Sequence, residues 1–406
     1  MRTTIHCQCS LPIESTALNR FLALLIPLVI ALAQSTVVFG QASSKLVYQY
    51  EFEDARVSIP TAQEPRVEKF GPDSLRLAAK YLELGAASWA NGRGCVNCHT
   101  TGPYLADATA WASYFGKPYQ QAYESFAQDV PGEINDLQAA EQNGHRYYPG
   151  TFSSVWRSLG LAQWDRHVSG KLAEVTDRSL RDMFRHQSES GAFVTHGEVE
   201  IPHITTDFEL SLQAARAIVA APGWLETLTD PALMARVEKL KHWLASTSAK
   251  NDYDRVLKLQ LACYWPECVS QADRDLAMDL LTARQHEDGG WSTRDMSAVQ
   301  DWHFEMSPKV LSLLENLPDA QSPQSDAYMT ALAIVLMRQN DIPASDPRIA
   351  RGLNWLKHQQ RESGRWWMHS LYRGNYHYTT YIATVQALKA FEACGEFDAL
   401  KIATAP

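Results

Sequence analysis

The sequence predicts an all-α protein built from helical hairpins, and two observations lead to this fold class. Amphipathic segments with apolar residues at helical spacing follow one another from residue 172 to residue 391, and no strand-like alternation of any length competes with them. A segment of the form Q-x-x-x-G-x-(W/F) also recurs, each time between an amphipathic helix and a more apolar one. Its three copies are 187–193, 285–291 and 360–366.

The periodic segments divide into a polar and an apolar set, which predicts an outer and an inner layer of helices. Two further helices fit the pattern without the glutamine signature, at 231–245 and 327–338, and an earlier helix begins near Pro72 with Ser74 as its N-cap. The predicted outer helices are 172–186, 272–284 and 347–359, and the predicted inner helices are 208–220, 308–317 and 378–391.

The repeated segment predicts a turn that joins neighbouring hairpins. Its Gly allows a backbone conformation closed to other residues at the end of the outer helix. The aromatic side chain two positions later can stack on the Gln amide, and the Gln can hydrogen-bond the start of the next helix. Hairpins joined in this way can close into a ring. We therefore expect a central cavity at the N-terminal ends of the inner helices.

The three copies resemble the repeat of squalene–hopene cyclases and of protein prenyltransferase β subunits, which implies an α/α toroid. The segments 325–328, 346–349 and 360–366 are similar to the C-terminal part of exported cyclase-repeat proteins from planctomycete-type bacteria. That subgroup also has a counterpart of the Cys95–Tyr104 segment near the N-terminus. The resemblance covers roughly residues 74–395 and implies a hydrophobic ligand such as a terpenoid or lipid.

The sequence departs from both families at their catalytic groups. Squalene–hopene cyclases protonate an alkene with an aspartate from a D-x-D-D string, and this chain has none. Its nearest equivalent is Asp252-Tyr253-Asp254-Arg255, in which the Arg is expected to hold a neighbouring carboxylate ionised. The zinc-binding Asp, Cys and His of prenyltransferases have no matching arrangement. Cyclisation of squalene is therefore disfavoured.

Cys95-Val96-Asn97-Cys98-His99 has the C-x-x-C-H form of a c-type haem attachment site. The thiols of Cys95 and Cys98 can add to the vinyl groups of one porphyrin edge, and His99 can ligate the iron. The motif predicts a covalent haem c, cofactor-bound through Cys95 and Cys98 with His99 as the metal ligand. A redox dithiol, a structural disulfide and half of a zinc site remain alternatives. The distal ligand is unassigned among several methionines, His145 and His167.

The N-terminus predicts export. Residues 1–40 combine flanking arginines with an apolar run over 21–33 and small residues before Gln41, as in a cleaved signal peptide, with an uncleaved anchor as the alternative. We expect an arm and haem segment over 41–145, loose and partly extended at first, and the toroid over 146–400. The mature chain would be periplasmic or otherwise extracytoplasmic, with no transmembrane helix.

Composition is that of an ordinary globular protein, with 406 residues, 45% of them hydrophobic, and a net charge of −9. Lys and Arg are scattered, so no nucleic-acid partner is expected. Twelve Trp and sixteen Tyr suit either a large core or a pocket for apolar and cationic ligands.

Three residues at starts of inner helices are the candidate catalytic groups of the cavity: Asp207, Asp326 and His377. The two acids can equally be helix caps that favour the positive end of the helix dipole. Aromatic side chains near them can line a hydrophobic tunnel or stabilise a carbocation, or can simply belong to the core. These are Trp302, Trp366, Trp367, Tyr372, Tyr376, Tyr378 and Tyr381.

Cys263 and Cys268 are separated by four residues, and in an exported protein a local disulfide is the first expectation. Two free thiols and a zinc site are the alternatives.

The whole sequence leaves three functions open. One is a haem protein that exchanges electrons with a redox partner protein or a bound lipid. The second is an enzyme acting on a terpenoid or other polycyclic lipid. The third is a non-catalytic binding scaffold.

Overall fold

Helices alternate between an outer and an inner layer. The computed structural model describes residues 48–92, 96, 99–131, 150–194, 206–299, 308–370 and 378–402. The signal-peptide segment 1–40, Cys95, Cys98 and His377 lie outside the described residues. The elements are β1 (Tyr48–Phe52), β2 (Ala55–Ser58), α1 (Pro72–Gly92), α2 (Thr101–Asp107), α3 (Ala112–Phe115), α4 (Gln120–Gln128), α5 (Thr151–Trp164), α6 (Glu174–Arg185), α7 (Asp207–Ala220), α8 (Trp224–Thr227), α9 (Pro231–Ser246), α10 (Asp252–Tyr264), α11 (Gln271–Ala283), α12 (Thr293–Met296), α13 (Pro308–Glu315), α14 (Pro318–Gln321), α15 (Ala327–Gln339), α16 (Pro347–Gln359), α17 (Tyr378–Ala393) and α18 (Asp398–Ile402).

Among the described residues, six inner helices form a closed ring, in the order α2, α5, α7, α10, α15 and α17, with α17 packing back on α2. Outer helices cover the contacts between them. For example, α6 packs on α5 and α7, α16 packs on α15 and α17, and α1 packs on α17 and α2. The predicted α/α toroid is therefore confirmed. The predicted domain boundary at residue 145 lies outside the described residues, and helices from both sides of it complete the ring.

The three Q-x-x-x-G-x-(W/F) turns have the same structure, and each Gln amide Nε2 donates two hydrogen bonds. One goes to the carbonyl of the Gly four residues later, and the other goes to a carbonyl of the next outer helix. The acceptors of this second bond are Arg236 O in α9 at 3.0 Å, Arg348 O in α16 at 2.9 Å and Ser74 O in α1 at 2.8 Å. The last of these, from Gln360, joins the third turn to the first outer helix and so closes the ring.

The glycine of each turn is required by its conformation and by its surroundings. Gly191, Gly289 and Gly364 have φ values of +100°, +94° and +90°. A Cβ on Gly364 would lie 2.5 Å from the carbonyl oxygen of Leu77 in α1. Only glycine permits this backbone conformation together with such a close approach of the neighbouring helix.

The predicted helix at 308–317 is present as α13 (Pro308–Glu315), but its assignment to the inner layer is wrong. The backbone N–H groups of Phe193, Trp291 and Trp366 donate to hydroxyls of Ser211 in α7, Thr330 in α15 and Thr384 in α17, respectively. The inner helix of the second repeat is therefore α15, and α13 belongs to an insertion before it. The sequence analysis also missed α5 and α10, and it missed α4 in the outer layer.

Part of the predicted loose arm is an ordered antiparallel hairpin of β1 and β2, which packs on α1. Arg365, in the third turn, is buried and ion-pairs with Glu64 at 2.6 Å while donating to the Ser58 carbonyl at 2.5 Å. Ser74 is also not the N-cap of α1: it lies inside the helix, and its hydroxyl accepts from Gly71 N–H at 3.2 Å. No helix among the described residues is long and apolar enough to cross a membrane.

Candidate functional site

The candidate site lies where three neighbouring inner helices begin. Glu209 in α7, Tyr253 in α10 and Tyr328 in α15 are all buried. The Tyr253 hydroxyl donates to Glu209 Oε2 at 2.8 Å and is 2.7 Å from the Tyr328 hydroxyl. Each of the three residues lies in the first turn of its helix, and the ring brings Tyr253 together with Glu209, 44 residues earlier, and with Tyr328, 75 residues later.

Glu209 is a carboxylic acid in an environment that favours its neutral form. Burial raises the pKa of Glu209 to about 7, the hydrogen bond from Tyr253 acts against this rise, and the nearby Asp254 charge adds to it. The pKa values of the tyrosine hydroxyls of Tyr253 and Tyr328 are raised well above their usual value, first of all by burial. The cluster can therefore hold a transferable proton near neutral pH while its tyrosines stay protonated.

A second buried carboxyl, Asp254, is linked to Glu209 through Thr206. The Thr206 hydroxyl donates to Asp254 Oδ1 at 2.5 Å and accepts from the Glu209 backbone N–H at 3.0 Å as the N-cap of α7. Burial raises the pKa of Asp254 to about 6, although the Thr206 hydrogen bond opposes it. As expected from the sequence, Asp252 is ion-paired with Arg255.

The predicted catalytic candidates lie close to this cluster in the chain. Asp207 is the first residue of α7, two positions before Glu209. Asp326 is the N-cap of α15: its Oδ1 accepts from Met329 N–H at 2.8 Å and its Oδ2 from Thr293 N–H at 2.5 Å. Burial raises the pKa of Asp326 to about 6 against these hydrogen bonds. The geometry of Asp326 is that of the capping alternative.

The opposite end of the ring interior holds a buried ion-pair cluster. Asp107 Oδ1, at the end of α2, lies 2.6 Å from Arg216 Nη2 in α7 and 3.3 Å from Lys389 Nζ in α17. Burial acts to raise the pKa of Asp107, but Arg216 and Lys389 hold it below its usual value. Asp107 is therefore held in its charged form. Its contacts with α7 and α17 contribute to the closure of the ring.

Two aromatic residues proposed for the cavity belong to the packing between layers instead. The Trp366 indole N–H donates to the Leu356 carbonyl of outer helix α16 at 2.8 Å. The Tyr381 hydroxyl donates to the Leu82 carbonyl of outer helix α1 at 2.7 Å. Trp302, Tyr372 and Tyr376 lie outside the described residues.

A separate cavity of about 470 Å³ lies at the C-terminal ends of α7 and α10, beside Tyr264 and Trp265.

His99 is the described member of the predicted haem site. It is 5% exposed, its ring stacks on Tyr378 at 3.8 Å between centroids, and Trp89 meets it edge-on at 4.7 Å. Its Nδ1 lies 3.0 Å from the Thr100 hydroxyl. This fixes the plane of the imidazole and engages Nδ1, as is usual for a histidine that ligates a metal. His99 is thus a held imidazole, while Cys95 and Cys98 lie outside the described residues.

The cysteines near the end of α10 do not form the predicted disulfide. Cys263, Cys268 and Cys394 are free thiols. Cys263 Sγ donates to the Leu259 carbonyl at 3.3 Å, and Cys268 Sγ lies 3.8 Å from the Lys241 carbonyl. Each thiol satisfies a helix carbonyl instead of pairing with the other. Within the described ranges, no cluster of three or more His, Cys, Asp or Glu side chains could hold a metal ion.

Sequence reasoning missed Glu209 as a functional residue, and it missed the pairing of Tyr253 with Tyr328. The available signal was positional. Glu209 is the third residue of its helix, and Tyr253 and Tyr328 are each the second residue of theirs. A comparison of the starts of all apolar helices would have found these polar groups, but only with α10 and α15 assigned to the inner layer.

Comparisons with known proteins agree with the helical ring. A family model described as the squalene-hopene cyclase C-terminal domain matches residues 269–405. No curated protein sequence matches the chain. Among solved structures, ent-copalyl diphosphate synthase from Streptomyces platensis is similar with a TM-score of 0.44 and 13% identity, over 73% of this chain. This chain spans 50% of that synthase.

The type II terpene cyclase MstE from Scytonema is similar with a TM-score of 0.43 and 13% identity, covering 80% of this chain and 100% of that one. A variant of that cyclase in complex with geranylgeranyl dihydroxybenzoate has a TM-score of 0.42 at 13% identity, over 80% of this chain and 97% of that one. At such low scores these similarities carry no argument about activity. The C-terminal third of this α/α toroid thus matches the C-terminal domain of squalene-hopene cyclases.

Proposed function

We propose that this toroid is a cyclase-like enzyme that takes an apolar polyene into its interior and protonates it through Glu209. One observation carries the proposal: a buried carboxyl, its pKa raised to about 7, lies among tyrosine hydroxyls where inner helices begin. Perturbed acids at such positions are candidates for proton transfer. The family match over residues 269–405 supports the same class of reaction.

The proposed chemistry is an isomerisation in which atoms and electrons balance. The neutral Glu209 carboxyl gives its proton to one alkene carbon, and the other alkene carbon becomes a cation. A second double bond supplies the electron pair for a new carbon–carbon bond. Loss of a proton from a neighbouring carbon then forms the final alkene. The hydrogen bond from Tyr253 stabilises the Glu209 carboxylate after the proton has left.

Glu209 suits this role better than the acids of the D-x-D-D-like segment. Asp252 is ion-paired with Arg255 and lies 2.9 Å from Arg284, so both of its oxygens already have cationic partners. Asp254 is buried with a pKa of about 6 and is linked through Thr206 to the start of α7. We propose that Asp254 keeps Glu209 protonated by placing a second acid beside it.

The test is incubation of purified protein in D₂O with acyclic isoprenoids: farnesol, geranylgeraniol and squalene. We expect an isomer that carries one carbon-bound deuterium, detected by gas chromatography and mass spectrometry. Glu209→Gln should lower its rate by at least about hundredfold, the lower bound for loss of a general acid. Glu174→Gln is the matched control, because Glu174 forms only a surface pair with Arg178. Full activity of Glu209→Gln would contradict the assignment.

The same assay tests the acids and the histidine expected from sequence. Asp207→Asn, Asp326→Asn and His377→Ala each remove one candidate. A rate loss without a loss of the folded fraction would assign a catalytic role to that residue. Because Asp326 accepts two backbone N–H groups, a loss of stability together with rate would instead indicate a cap.

A second candidate function is a haem c protein, and the fixed imidazole of His99 favours it. We propose that Cys95 and Cys98 would hold the porphyrin covalently and that His99, oriented by Tyr378, Trp89 and Thr100, would ligate the iron. A bound haem would supply one-electron chemistry toward a redox partner protein. The resemblance to the exported planctomycete-type subgroup supports this proposal.

This candidate is tested by expression with and without a cytochrome c maturation system. We expect the intact mass to rise by one haem after cleavage of residues 1–40, and Cys95→Ser/Cys98→Ser to abolish that gain. The same cells, separated into periplasm and cytoplasm, test export. A periplasmic protein with the mass of the bare polypeptide would remove the haem proposal and leave the cyclase proposal intact.

A further inference from the structure

One face of α7 carries three polar side chains. Glu209, Gln213 and Arg216 are spaced by four and three residues, so their side chains lie on one face of the helix. Glu209 belongs to the acid and tyrosine cluster at one end of the ring interior, and Arg216 belongs to the ion-pair cluster at the other. Gln213 therefore lies between the two clusters along the axis of α7.

Helix α17 presents the same order from across the ring. Gln386 precedes Lys389 by three residues, as Gln213 precedes Arg216 in α7. Arg216 and Lys389 both contact the same Asp107 oxygen, at 2.6 and 3.3 Å. Arg216 and Lys389 thus reach the same oxygen from α7 and α17, and Gln213 and Gln386 each lie about one turn before the cation of their own helix.

Both glutamine amides contain a buried atom that makes no hydrogen bond. Gln213 Oε1, an acceptor, and Gln386 Nε2, a donor, have no partner among the described residues. Each of the two side chains is 7% exposed. Buried polar groups are normally paired, because loss of hydration without a new hydrogen bond is unfavourable. An unpaired acceptor on α7 and an unpaired donor on α17 indicate a ligand group that can supply the missing bonds.

The chemistry required is narrow. The ligand group must donate to Gln213 Oε1 and accept from Gln386 Nε2, and a hydroxyl does both through one oxygen. An ionised carboxylate head accepts only, so it cannot donate to Gln213 Oε1. An ether accepts only, and a hydrocarbon does neither.

We propose that Gln213 and Gln386 form a polar subsite that binds the hydroxyl group of an isoprenoid alcohol. The inference rests on the proposed function and narrows its substrate class from a hydrocarbon polyene to an oxygenated one. In this arrangement the ligand's hydroxyl lies between the Glu209 cluster and the Asp107 cluster. The double-bonded chain extends from it toward Glu209.

The experiment measures binding and does not depend on turnover. Farnesol and farnesyl methyl ether have the same carbon skeleton, but the ether lacks the donor. Titration followed by intrinsic tryptophan fluorescence should give a dissociation constant for farnesol at least about tenfold lower, the effect of one hydrogen bond in a buried site. Gln213→Leu should remove the preference by weakening farnesol binding alone.

The ligand-free melting temperature provides a second readout. Gln213→Leu and Gln386→Leu replace an unpaired amide by an apolar group, so the melting temperature should be unchanged or higher. Gln260→Leu is the matched control on the interior of α10: its Nε2 donates to the Tyr264 hydroxyl at 3.2 Å, so its melting temperature should fall while the farnesol preference persists.

Three outcomes would overturn the subsite. Equal affinity of the wild type for alcohol and ether would do so while leaving the cyclase proposal in place. A lower melting temperature of both ligand-free leucine variants would mean that water already satisfies the amides. Failure of both isoprenoids to bind would overturn the subsite, and the D₂O assay with squalene would then decide the proposed function separately.

Discussion

The two ends of the ring interior each bury a carboxyl, and the two carboxyls behave in opposite ways. At the C-terminal end, Asp107 contacts Arg216 and Lys389, and its pKa is lowered. At the N-terminal end, Glu209 contacts the neutral hydroxyl of Tyr253, and its pKa is raised to about 7. Burial is common to both, so the partner decides which protonation state each end favours.

The Asp107 cluster therefore has a structural role, whereas the Glu209 cluster is able to exchange a proton. A carboxylate paired with two cations is fixed in its charge and cannot exchange a proton near neutral pH. An acid that lacks a cationic partner in direct contact remains available for proton transfer, at the cost of stability when it ionises. The comparison predicts which end tolerates substitution and how each responds to pH.

The largest effect is expected for Asp107→Ala. The substitution leaves the largely buried Arg216 and Lys389, whose side chains are 13% and 16% exposed, without their shared counter-charge, and removal of one member of a buried ion pair costs about 3–5 kcal/mol. The free energy of unfolding, measured with guanidinium chloride, should fall by that amount. Asp73→Ala is the matched control, because the Asp73 side chain is 98% exposed in its pair with Arg76 and should change stability hardly at all. Equal effects of the two variants would remove the structural role of the cluster.

The next effect concerns the pH dependence of stability. Glu209 has a pKa of 4.5 as a free side chain and about 7 in the folded protein, so the folded state keeps a proton that the unfolded chain releases between these values. Stability therefore falls as the pH rises from 4.5 to 7, by about 3 kcal/mol for this group at 1.36 kcal/mol per pKa unit. Asp107 has the opposite sign, and its contribution is lost as the pH falls.

Glu209→Gln removes the titrating group but keeps its shape. The variant should be as stable as the wild type near pH 5 and more stable by about 2–3 kcal/mol near pH 8. Urea unfolding at a series of pH values measures this difference. Asp254 and Asp326 also have raised pKa values, so part of the decline with pH should persist in the variant. Parallel curves for variant and wild type would place the raised pKa elsewhere.

The sequence predicted the turns that join the helices better than it predicted the buried clusters inside the ring. The Q-x-x-x-G-x-(W/F) turns are local, because Gly conformation and the Gln hydrogen bonds are set within a few residues, and all three were found. The second inner helix was misassigned because an insertion carrying α13 separates Trp291 from Thr330, with which it pairs. The hairpin of β1 and β2 was missed because its strands are only five and four residues long.

Glu209 was not predicted because its environment comes from distant parts of the chain. Tyr253 is 44 residues away, and its hydroxyl in turn meets Tyr328, 75 residues further on. No spacing rule along one helix brings these groups together; only the closure of the ring does. The same holds for Asp107, whose partner Arg216 is 109 residues distant. Local motifs were therefore visible in the sequence, whereas the clusters that cross the ring were not.

The smallest expected effect is that of Tyr253→Phe, and it distinguishes the two ends most finely. Loss of the hydroxyl that donates to Glu209 should cost about 1 kcal/mol of stability. Because that hydrogen bond lowers the Glu209 pKa, its removal should raise the pKa further and extend the pH range over which stability declines. Tyr264→Phe is the control, since the Tyr264 hydroxyl accepts from Gln260 near the ion-pair end. If Tyr264→Phe shifted the pH dependence as much as Tyr253→Phe, the Glu209 pKa would depend on the interior as a whole and not on its tyrosine partner.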